Sequence, residues 1–454
     1  MVGSVPQLSE RDDHNSTTWY NDLDEVAEPA PVQNPNEDPI YPRESLEDAR
    51  GQEESDKKSA AHSGDATRGQ DPESNVSSIA TQLYTISYLV LFSLLGTLAR
   101  LGLQALTFYP GAPIVFSELW ANFGGSLIFG FLSEDRMLFK EEWGTPIYHQ
   151  AILKSRSPGH DEESASSEGS KDLVAAKKAH TATKKTIPLY IGLATGFCGS
   201  FTSFSSFIRD AYLGLSNDLP TPLNHAADYS SATVSTSTVP RNGGYSFMAL
   251  LAVLITTTTV CIAALYVGAH LAISFSPITP SISFKVGRKV LDPLCAFLAW
   301  GCWLGAVFLA IFPPDRSSSP EIWRGRAVFA LVFAPLGCLG RFYVSMYLNR
   351  RISSFPLGTF VVNFFGTMVL GMSYDLQRVP LGGVVGCQVL QGIEDGFCGC
   401  LTTVSTWVGE LSTLRRSHAY KYGAVSVAAA LCSLIVIMGS LQWTRGFSPL
   451  LCIH

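Results

Sequence analysis

Long apolar runs separated by polar stretches make up most of the chain after residue 83. A helix that crosses a bilayer needs about 20 mainly apolar residues, because the hydrocarbon offers the backbone no hydrogen-bond partners. Nine runs are close to that length: 84–106, 115–133, 187–208, 246–272, 291–312, 327–348, 356–374, 384–410 and 422–442. The pattern predicts an all-α membrane protein with nine transmembrane helices.

Polar segments divide these runs unevenly. Residues 134–186 and 209–244 are rich in polar residues and are predicted to be flexible loops. The first 80 residues contain 18 Asp and Glu but only 6 Lys and Arg. Such a segment buries too little apolar surface to offset the entropy lost on ordering. We therefore expect a disordered, acidic cytoplasmic tail over residues 1–83.

Composition agrees with a chain embedded in membrane lipid. Charged residues make up 15 % of the chain, against about 25 % in an average soluble protein. Most of the ten cysteines lie inside apolar runs and none has zinc-site spacing, so we interpret them as small apolar side chains. We expect no cofactor of the enzymatic kind and no nucleic-acid partner.

Lys and Arg in the loops predict the orientation, since cytoplasmic loops carry more of them. With the N-terminus in the cytoplasm, the inner loops hold 17 and the outer loops 7, leaving out the acidic tail and two arginines within spans. Nine spans then place the C-terminus outside the cell.

Three motifs occur twice in the same order. Gly96-x-x-x-Arg100 and Asn122-Phe-x-Gly recur 241 residues later, and Gly196-Phe-Cys-Gly199 recurs 200 residues later. The second copies are Gly337-x-x-x-Arg341, Asn363-Phe-x-Gly and Gly396-Phe-Cys-Gly399. The motifs predict two four-helix repeats over 84–273 and 327–443, a linker with the fifth span over 274–326, and a short tail over 444–454.

The odd number of helices before the second repeat has a topological consequence. The first repeat starts from the inside, and the extra linker helix makes the second start from the outside. We therefore predict antiparallel repeats related by a pseudo-two-fold axis in the membrane plane.

Two polar residue types within the spans suggest chemistry. Arg100 and Arg341 are intramembrane charges, which are costly and commonly functional. They are predicted to attract an anion or to act as a structural pin at a vestibule. Asn122 and Asn363 each offer two N–H donors, which suit a desolvated anion, although an interhelical hydrogen bond is the alternative.

The third motif is followed by Ser and Thr clusters that predict broken helices, whose freed carbonyls need a partner. Phe204 and Phe207 share one helix face, and the electropositive edges of their rings can meet an anion; packing is the alternative. Tyr422 and Ser426, one helical turn apart, could supply hydroxyls to a small ion or bond to their own helix.

Taken together, the motifs resemble the CrcB/Fluc fluoride channels, most closely the two-domain, single-chain eukaryotic exporters (FEX), over roughly residues 84–442. The resemblance implies a fluoride pore and a central structural Na⁺ held by backbone carbonyls. By position, the implied pore residues are Asn122, Asn363, Phe204, Phe207, Tyr422 and Ser426. The implied Na⁺ ligands are Gly199, Thr202, Gly399 and Thr402.

The second half departs from the family pattern. Val404 and Trp407 replace both pore phenylalanines, with Trp407 kept here as a pore candidate, and Ala249 follows Tyr245 where a serine is expected. Glu394 and Asp395 also add acids before the second Gly-Phe-Cys-Gly motif. A single working pore is therefore the favoured interpretation.

The predicted function is passive export of cytoplasmic fluoride across the plasma membrane by a single chain. The alternative is a secondary transporter of another small solute, since inverted repeats are common there. An intramembrane enzyme is disfavoured because no HExxH or GxSxG motif occurs, and a purely structural protein would not need paired Asn and Arg.

Overall fold

Helices account for the regular structure of the part of the chain that the computed structural model describes. It describes residues 78–109, 112–116, 118–139, 184–219, 241–313, 327–352, 354–379 and 383–448, and none of these lies in a β-strand. The helices are α1 (Ser78–Thr107), α2 (Glu118–Glu134), α3 (188–201), α4 (Phe204–Ser216), α5 (Gly243–Phe275), α6 (Gly287–Ile311), α7 (Phe329–Leu348), α8 (Leu357–Leu376), α9 (383–401), α10 (Ser405–Thr413) and α11 (Arg416–Arg445). The all-α class is confirmed for these residues.

Seven stretches of the described chain are long and apolar enough to cross a membrane. They are Ile79–Thr107, Pro188–Ser216, Gly243–Phe275, Gly287–Ile311, Phe329–Leu348, Leu357–Leu376 and Arg416–Arg445. The remaining two predicted spans correspond to α2, which has only 17 residues, and to the broken pair α9 and α10. A multi-pass membrane protein is therefore confirmed, whereas nine spans remain a prediction.

Several predicted boundaries were wrong by a few residues. Helix α1 begins at Ser78, inside the predicted tail, and α4 continues to Ser216, beyond the predicted end at 208. Helix α11 likewise extends to Arg445. Helices can outlast their apolar runs because polar end residues still make backbone hydrogen bonds. The rest of the acidic tail, most of the two polar loops and the last residues lie outside the described ranges.

Glycines bring the paired helices of each half close together. A Cβ added at Gly130 of α2 would collide with the carbonyl oxygen of Leu265 on α5. At the matching position of the second half, a Cβ at Gly371 of α8 would come within 2.6 Å of Leu434 on α11. Gly130 thus allows a backbone approach that any larger residue would prevent, and Gly371 leaves room for the Leu434 side chain.

Cysteines mostly behave as predicted. Cys198, Cys338 and Cys398 are free and buried among apolar neighbours. Cys387 of α9 is the exception, because it is disulfide-bonded. The interpretation as a small apolar side chain is therefore wrong for Cys387, which lies in the first turns of a helix rather than at the centre of the protein.

Candidate ion pathway at the two helix breaks

Two helices break at equivalent positions, as the Ser and Thr clusters predicted. Thr202, between α3 and α4, has φ −96° and ψ 146°, and Thr402, between α9 and α10, has φ −93° and ψ 155°. Both are extended conformations in the middle of otherwise helical segments. A π-helical turn precedes each break, at Gly192–Cys198 and Ile393–Cys398.

The two breaks touch each other at the centre of the protein. The hydroxyl oxygen of Thr202 accepts hydrogen bonds from the backbone N–H groups of Val404 and Ser405, each at 3.2 Å. In return, the hydroxyl oxygen of Thr402 accepts from the N–H of Ser205 at 3.1 Å. Each threonine therefore satisfies N–H groups at the start of the other half's helix, which lack intrahelical partners.

A buried asparagine supports each break. The Oδ1 of Asn122 accepts from Ser203 N at 2.8 Å, and the Oδ1 of Asn363 accepts from Thr403 N at 2.9 Å. Each Nδ2 also donates to the carbonyl of the same residue, at 3.4 and 3.2 Å respectively. The amide carries two N–H hydrogens and this bond uses one. The interhelical hydrogen bond is thus present in both halves, and it leaves one Nδ2 hydrogen of each asparagine for an ion.

The candidate Na⁺ ligands have a backbone arrangement that fits a cation. In a continuous α-helix, Ser203 N would bond to the carbonyl of Gly199, and Thr403 N to that of Gly399. Both N–H groups donate to asparagine side chains instead. The carbonyls at the two breaks are thereby released from the α-helical pattern at a point where the two halves meet, which suits a monovalent ion bound by carbonyl dipoles.

The two intramembrane arginines are almost fully buried. Arg100 and Arg341 are 1 % and 2 % exposed. Arg341 donates to the carbonyl of Thr195 at 2.8 Å and to that of Cys400 at 2.8 Å, while Arg100 donates to the carbonyl of Asp395. Carbonyls in and beside the π turns thus bind both guanidinium groups, while Nε and Nη1 of Arg100 have no partner among the described residues. The predicted vestibule role stays a prediction.

These arginine contacts cross between the halves and explain two motif glycines. Arg100 reaches the π turn of the second half, and Arg341 reaches the π turn of the first. A Cβ at Gly199 would overlap the guanidinium of Arg341, and a Cβ at Gly399 would overlap that of Arg100. The motif glycines therefore make room for the arginine of the opposite half.

Four aromatic candidates lie in one buried cluster. Phe204 and Phe207 pack edge to face with their centroids 5.7 Å apart, and Trp407 packs edge to face on Phe204 at 5.3 Å. Tyr422 belongs to the same cluster and is fully buried. In these edge-to-face contacts the electropositive edge of one ring meets the face of its neighbour. The structure thus brings residues of both halves together beside α11.

A buried carboxylate that the sequence reasoning missed accepts hydrogen bonds from two buried hydroxyl groups. Glu410 of α10 accepts from the hydroxyl of Tyr422 at 2.6 Å and from that of Thr359 at 2.6 Å. Ser426, one turn beyond Tyr422, donates to the Tyr422 carbonyl at 2.7 Å. All four residues are buried. Because Glu410 follows Trp407 by three residues on one helix, shared-face spacing could have identified it.

The first half has no matching pair of buried hydroxyl groups on α5. Tyr245 matches Tyr422 but is 66 % exposed. Ala249 stands where Ser426 stands in the second half, so it has no hydroxyl to offer. A line of buried hydroxyl groups therefore forms beside α11 and has no equivalent at these two positions of α5.

In the first half, acidic side chains stand at the positions of both Thr359 and Glu410. Glu118 occupies the position of Thr359, and Asp210 occupies that of Glu410. Both acids are buried, and Asp210 pairs with Arg209 at 3.2 Å. A second carboxylate in place of a hydroxyl opposes the entry of an anion. The first-half route thus carries one more acid than the second-half route, and it also carries the Arg209 guanidinium where the second half has Gly409.

Comparison with known proteins agrees with this paired arrangement. A family model described as "CrcB-like protein, Camphor Resistance (CrcB)" matches residues 87–269 and 328–440, so it covers both helix breaks. The chain belongs to the CrcB family. Two separate matches in one chain fit the two-domain eukaryotic type of CrcB protein.

Relatives of this CrcB chain include eukaryotic and bacterial proteins. It is 55 % identical to "Fluoride export protein 1" of Neurospora crassa, covering 94 % of this chain and 83 % of the relative. It is 31 % identical to "Fluoride export protein 1" of Candida albicans, covering 77 % and 78 %. It is 32 % identical to "Fluoride-specific ion channel FluC" of Geotalea daltonii over 24 % of this chain and 87 % of the relative. No solved structure matches significantly.

Proposed function

We infer that this CrcB protein exports fluoride through a passive, selective pore in the plasma membrane. The observation that carries the proposal is the buried aromatic cluster beside α11, in which Phe204 and Phe207 of the first half pack with Trp407 and Tyr422 of the second. Relatives named as fluoride export proteins and a fluoride-specific channel support fluoride as the ion. A pore of this kind catalyses no reaction.

A passive pore suffices for export. Neutral hydrogen fluoride crosses bilayers and dissociates in a less acidic cytoplasm, which traps the anion inside. A negative-inside potential drives an anion outward by about 2.3 kcal/mol per charge per 100 mV. The protein must therefore replace the hydration shell of fluoride, and it needs no energy source beyond the membrane potential.

Fluoride-loaded liposomes that contain only this purified protein test the proposal. Valinomycin, which sets a potential in the presence of K⁺, should start rapid fluoride efflux measured with a fluoride electrode, and chloride-loaded vesicles should retain their anion. Absence of efflux would refute a channel. Efflux that requires an imposed proton gradient would instead support a secondary transporter.

The second-half route is the conducting one in this proposal. It retains the buried hydroxyls of Tyr422, Ser426 and Thr359 with one acid, Glu410, whereas the first-half route has Ala249 and two buried acids beside Arg209. Because both helix breaks belong to one chain, a single chain would contain the complete pore.

Nine spans with the N-terminus inside and the C-terminus outside complete the proposed topology, with α2 and the pair α9 and α10 as the additional crossings. The reciprocal contacts between the halves fit a two-fold relation between the repeats. Tags at the two termini should then show opposite protease accessibility in sealed vesicles. If both tags are cleaved, or if both are protected, the inverted repeat is contradicted.

A Na⁺ ion at the junction of the breaks is the proposed structural cofactor, with carbonyls of Gly199, Thr202, Gly399 and Thr402 as ligands. The two guanidinium groups beside these glycines repel any cation, and they repel a divalent ion about twice as strongly as a monovalent one. We expect replacement of Na⁺ by N-methyl-D-glucamine to lower both fluoride efflux and thermal stability. If neither quantity changes at any Na⁺ concentration, the ion is not bound.

A further inference from the structure

The indole N–H of Trp407 is a buried donor at the centre of the aromatic cluster. Trp407 is 1 % exposed, and its Nε1 is buried. Of the residues that the structure describes, none accepts a hydrogen bond from this nitrogen. A buried indole N–H usually has an acceptor, because leaving it unpaired costs free energy. Its position therefore calls for an acceptor that is not a described protein group.

Two other tryptophans show the ordinary situation in this protein. The Nε1 of Trp300 donates to the hydroxyl of Ser87 at 3.2 Å, and that of Trp303 donates to the carbonyl of Val332 at 3.0 Å. Both of these side chains are less buried than Trp407. Trp407 is the most buried of the five described tryptophans, and its donor lacks a described protein partner.

The neighbours of Trp407 place it on the proposed route. Its ring packs on Phe204 with a centroid distance of 5.3 Å and lies 6.5 Å from that of Phe207. A Cβ built on Gly423 of α11 would lie 3.8 Å from Cζ2 of the indole, the ring carbon two bonds from Nε1. The nitrogen-bearing side of the ring therefore lies against α11 at Gly423.

The chemistry of the substitution favours an anion. Trp407 occupies the second-half position that Phe207 occupies in the first half. A phenyl ring offers an anion only weakly polarised C–H edges, whereas an indole adds an N–H donor. Hydrogen bonds to charged acceptors are stronger than those between neutral groups, and fluoride is the halide that accepts them best.

We propose that the indole N–H of Trp407 donates a hydrogen bond directly to fluoride as the ion passes the aromatic cluster. The inference rests on the proposed function and adds a ligand to it. It also explains why Val404 can stand at the second-half position that matches Phe204. The N–H donor of Trp407 replaces the aromatic edge that is lost at this position.

The sharpest test removes the N–H and keeps the shape of the ring. Incorporation of 3-benzothienylalanine at position 407 by nonsense suppression exchanges the indole N–H for sulfur. The substitution Trp407→Phe removes the N–H with a natural amino acid. We expect either change to reduce fluoride efflux from liposomes roughly 10- to 100-fold, the range for a lost hydrogen bond to a charged group. The matched control, Trp303→Phe, should stay within about twofold of the unmodified protein, since its donor bonds to a remote carbonyl.

A binding measurement separates this proposal from the proposed function. The ¹⁵N–¹H resonance of the Trp407 indole, assigned with Trp407→Phe, should shift on addition of sodium fluoride and not with sodium chloride. If the unmodified protein conducts fluoride, the resonance does not move and the sulfur analogue conducts normally, the Trp407 proposal fails while the channel stands. If the unmodified protein carries no fluoride in liposomes, the proposed function fails.

Discussion

Replacement of Asn363 by Asp should abolish fluoride efflux, whereas the same replacement at Asn122 should leave most of it. Aspartate keeps an oxygen that can accept from Thr403 N, as the Oδ1 of Asn363 does at 2.9 Å. It removes both Nδ2 hydrogens and adds a negative charge on the proposed route. Loss of a donor together with repulsion of the anion should lower efflux by a factor of about 100 or more.

The two asparagines are structurally matched, which makes the comparison informative. Asn122 accepts from Ser203 N at 2.8 Å, so Asn122→Asp places the same strain on its helix break. Thermal unfolding in detergent should therefore shift by similar amounts for both variants, and only efflux should separate them. Equal and partial losses of efflux would show two conducting routes and contradict the single pore.

Gly199→Ala and Gly399→Ala should each destabilise the protein severely. The new Cβ would occupy the space of the Arg341 guanidinium in one case and that of Arg100 in the other. Displacement of a buried guanidinium from its carbonyl acceptors leaves an uncompensated charge and unpaired carbonyls. We expect a loss of about 3 kcal/mol or more for each variant, from overpacking and the broken charge contact together.

Gly102→Ala and Gly301→Ala are matched controls for these variants. A Cβ at either glycine has no atom within 4 Å, and both positions are helical. Alanine has the higher helix propensity, so these changes should be neutral or stabilising by up to about 1 kcal/mol. Thermal unfolding and the yield of monodisperse protein measure the difference. Equal melting temperatures for Gly199→Ala and Gly102→Ala would contradict the assigned guanidinium contact.

The positions of the helix breaks were predictable from sequence, because Ser and Thr hydroxyls compete for backbone groups and cluster after both Gly-Phe-Cys-Gly motifs. The break at Thr202 and that at Thr402 therefore appeared where the composition placed them. The clusters do not suffice alone, since residues 256–259 are four threonines within the unbroken helix α5. Close packing at Gly130 and Gly371 was predictable from local pattern too, since a glycine repeated in an apolar helix has few other uses.

Contacts between the halves were not predictable from local pattern. The depth of Arg341 in its span does not reveal that its acceptors include Thr195, 146 residues away. Glu410 was missed because an isolated acid at the end of an apolar run resembles an ordinary helix terminus. Only the three-dimensional meeting of α10 with Tyr422 and Thr359 identifies it as part of the buried line.

The reciprocal reach of Arg100 and Arg341 also governs how the two copies can diverge after gene duplication. Each arginine completes the backbone of the other half, so a mutation at either one damages both copies at once. Selection must then retain both arginines and both motif glycines even after one route has ceased to conduct. Positions outside these arginine contacts, such as Tyr245 and Ala249, are free of that constraint. Neutral mutations can therefore abolish conduction through one pore while the scaffold around it stays the same in both halves.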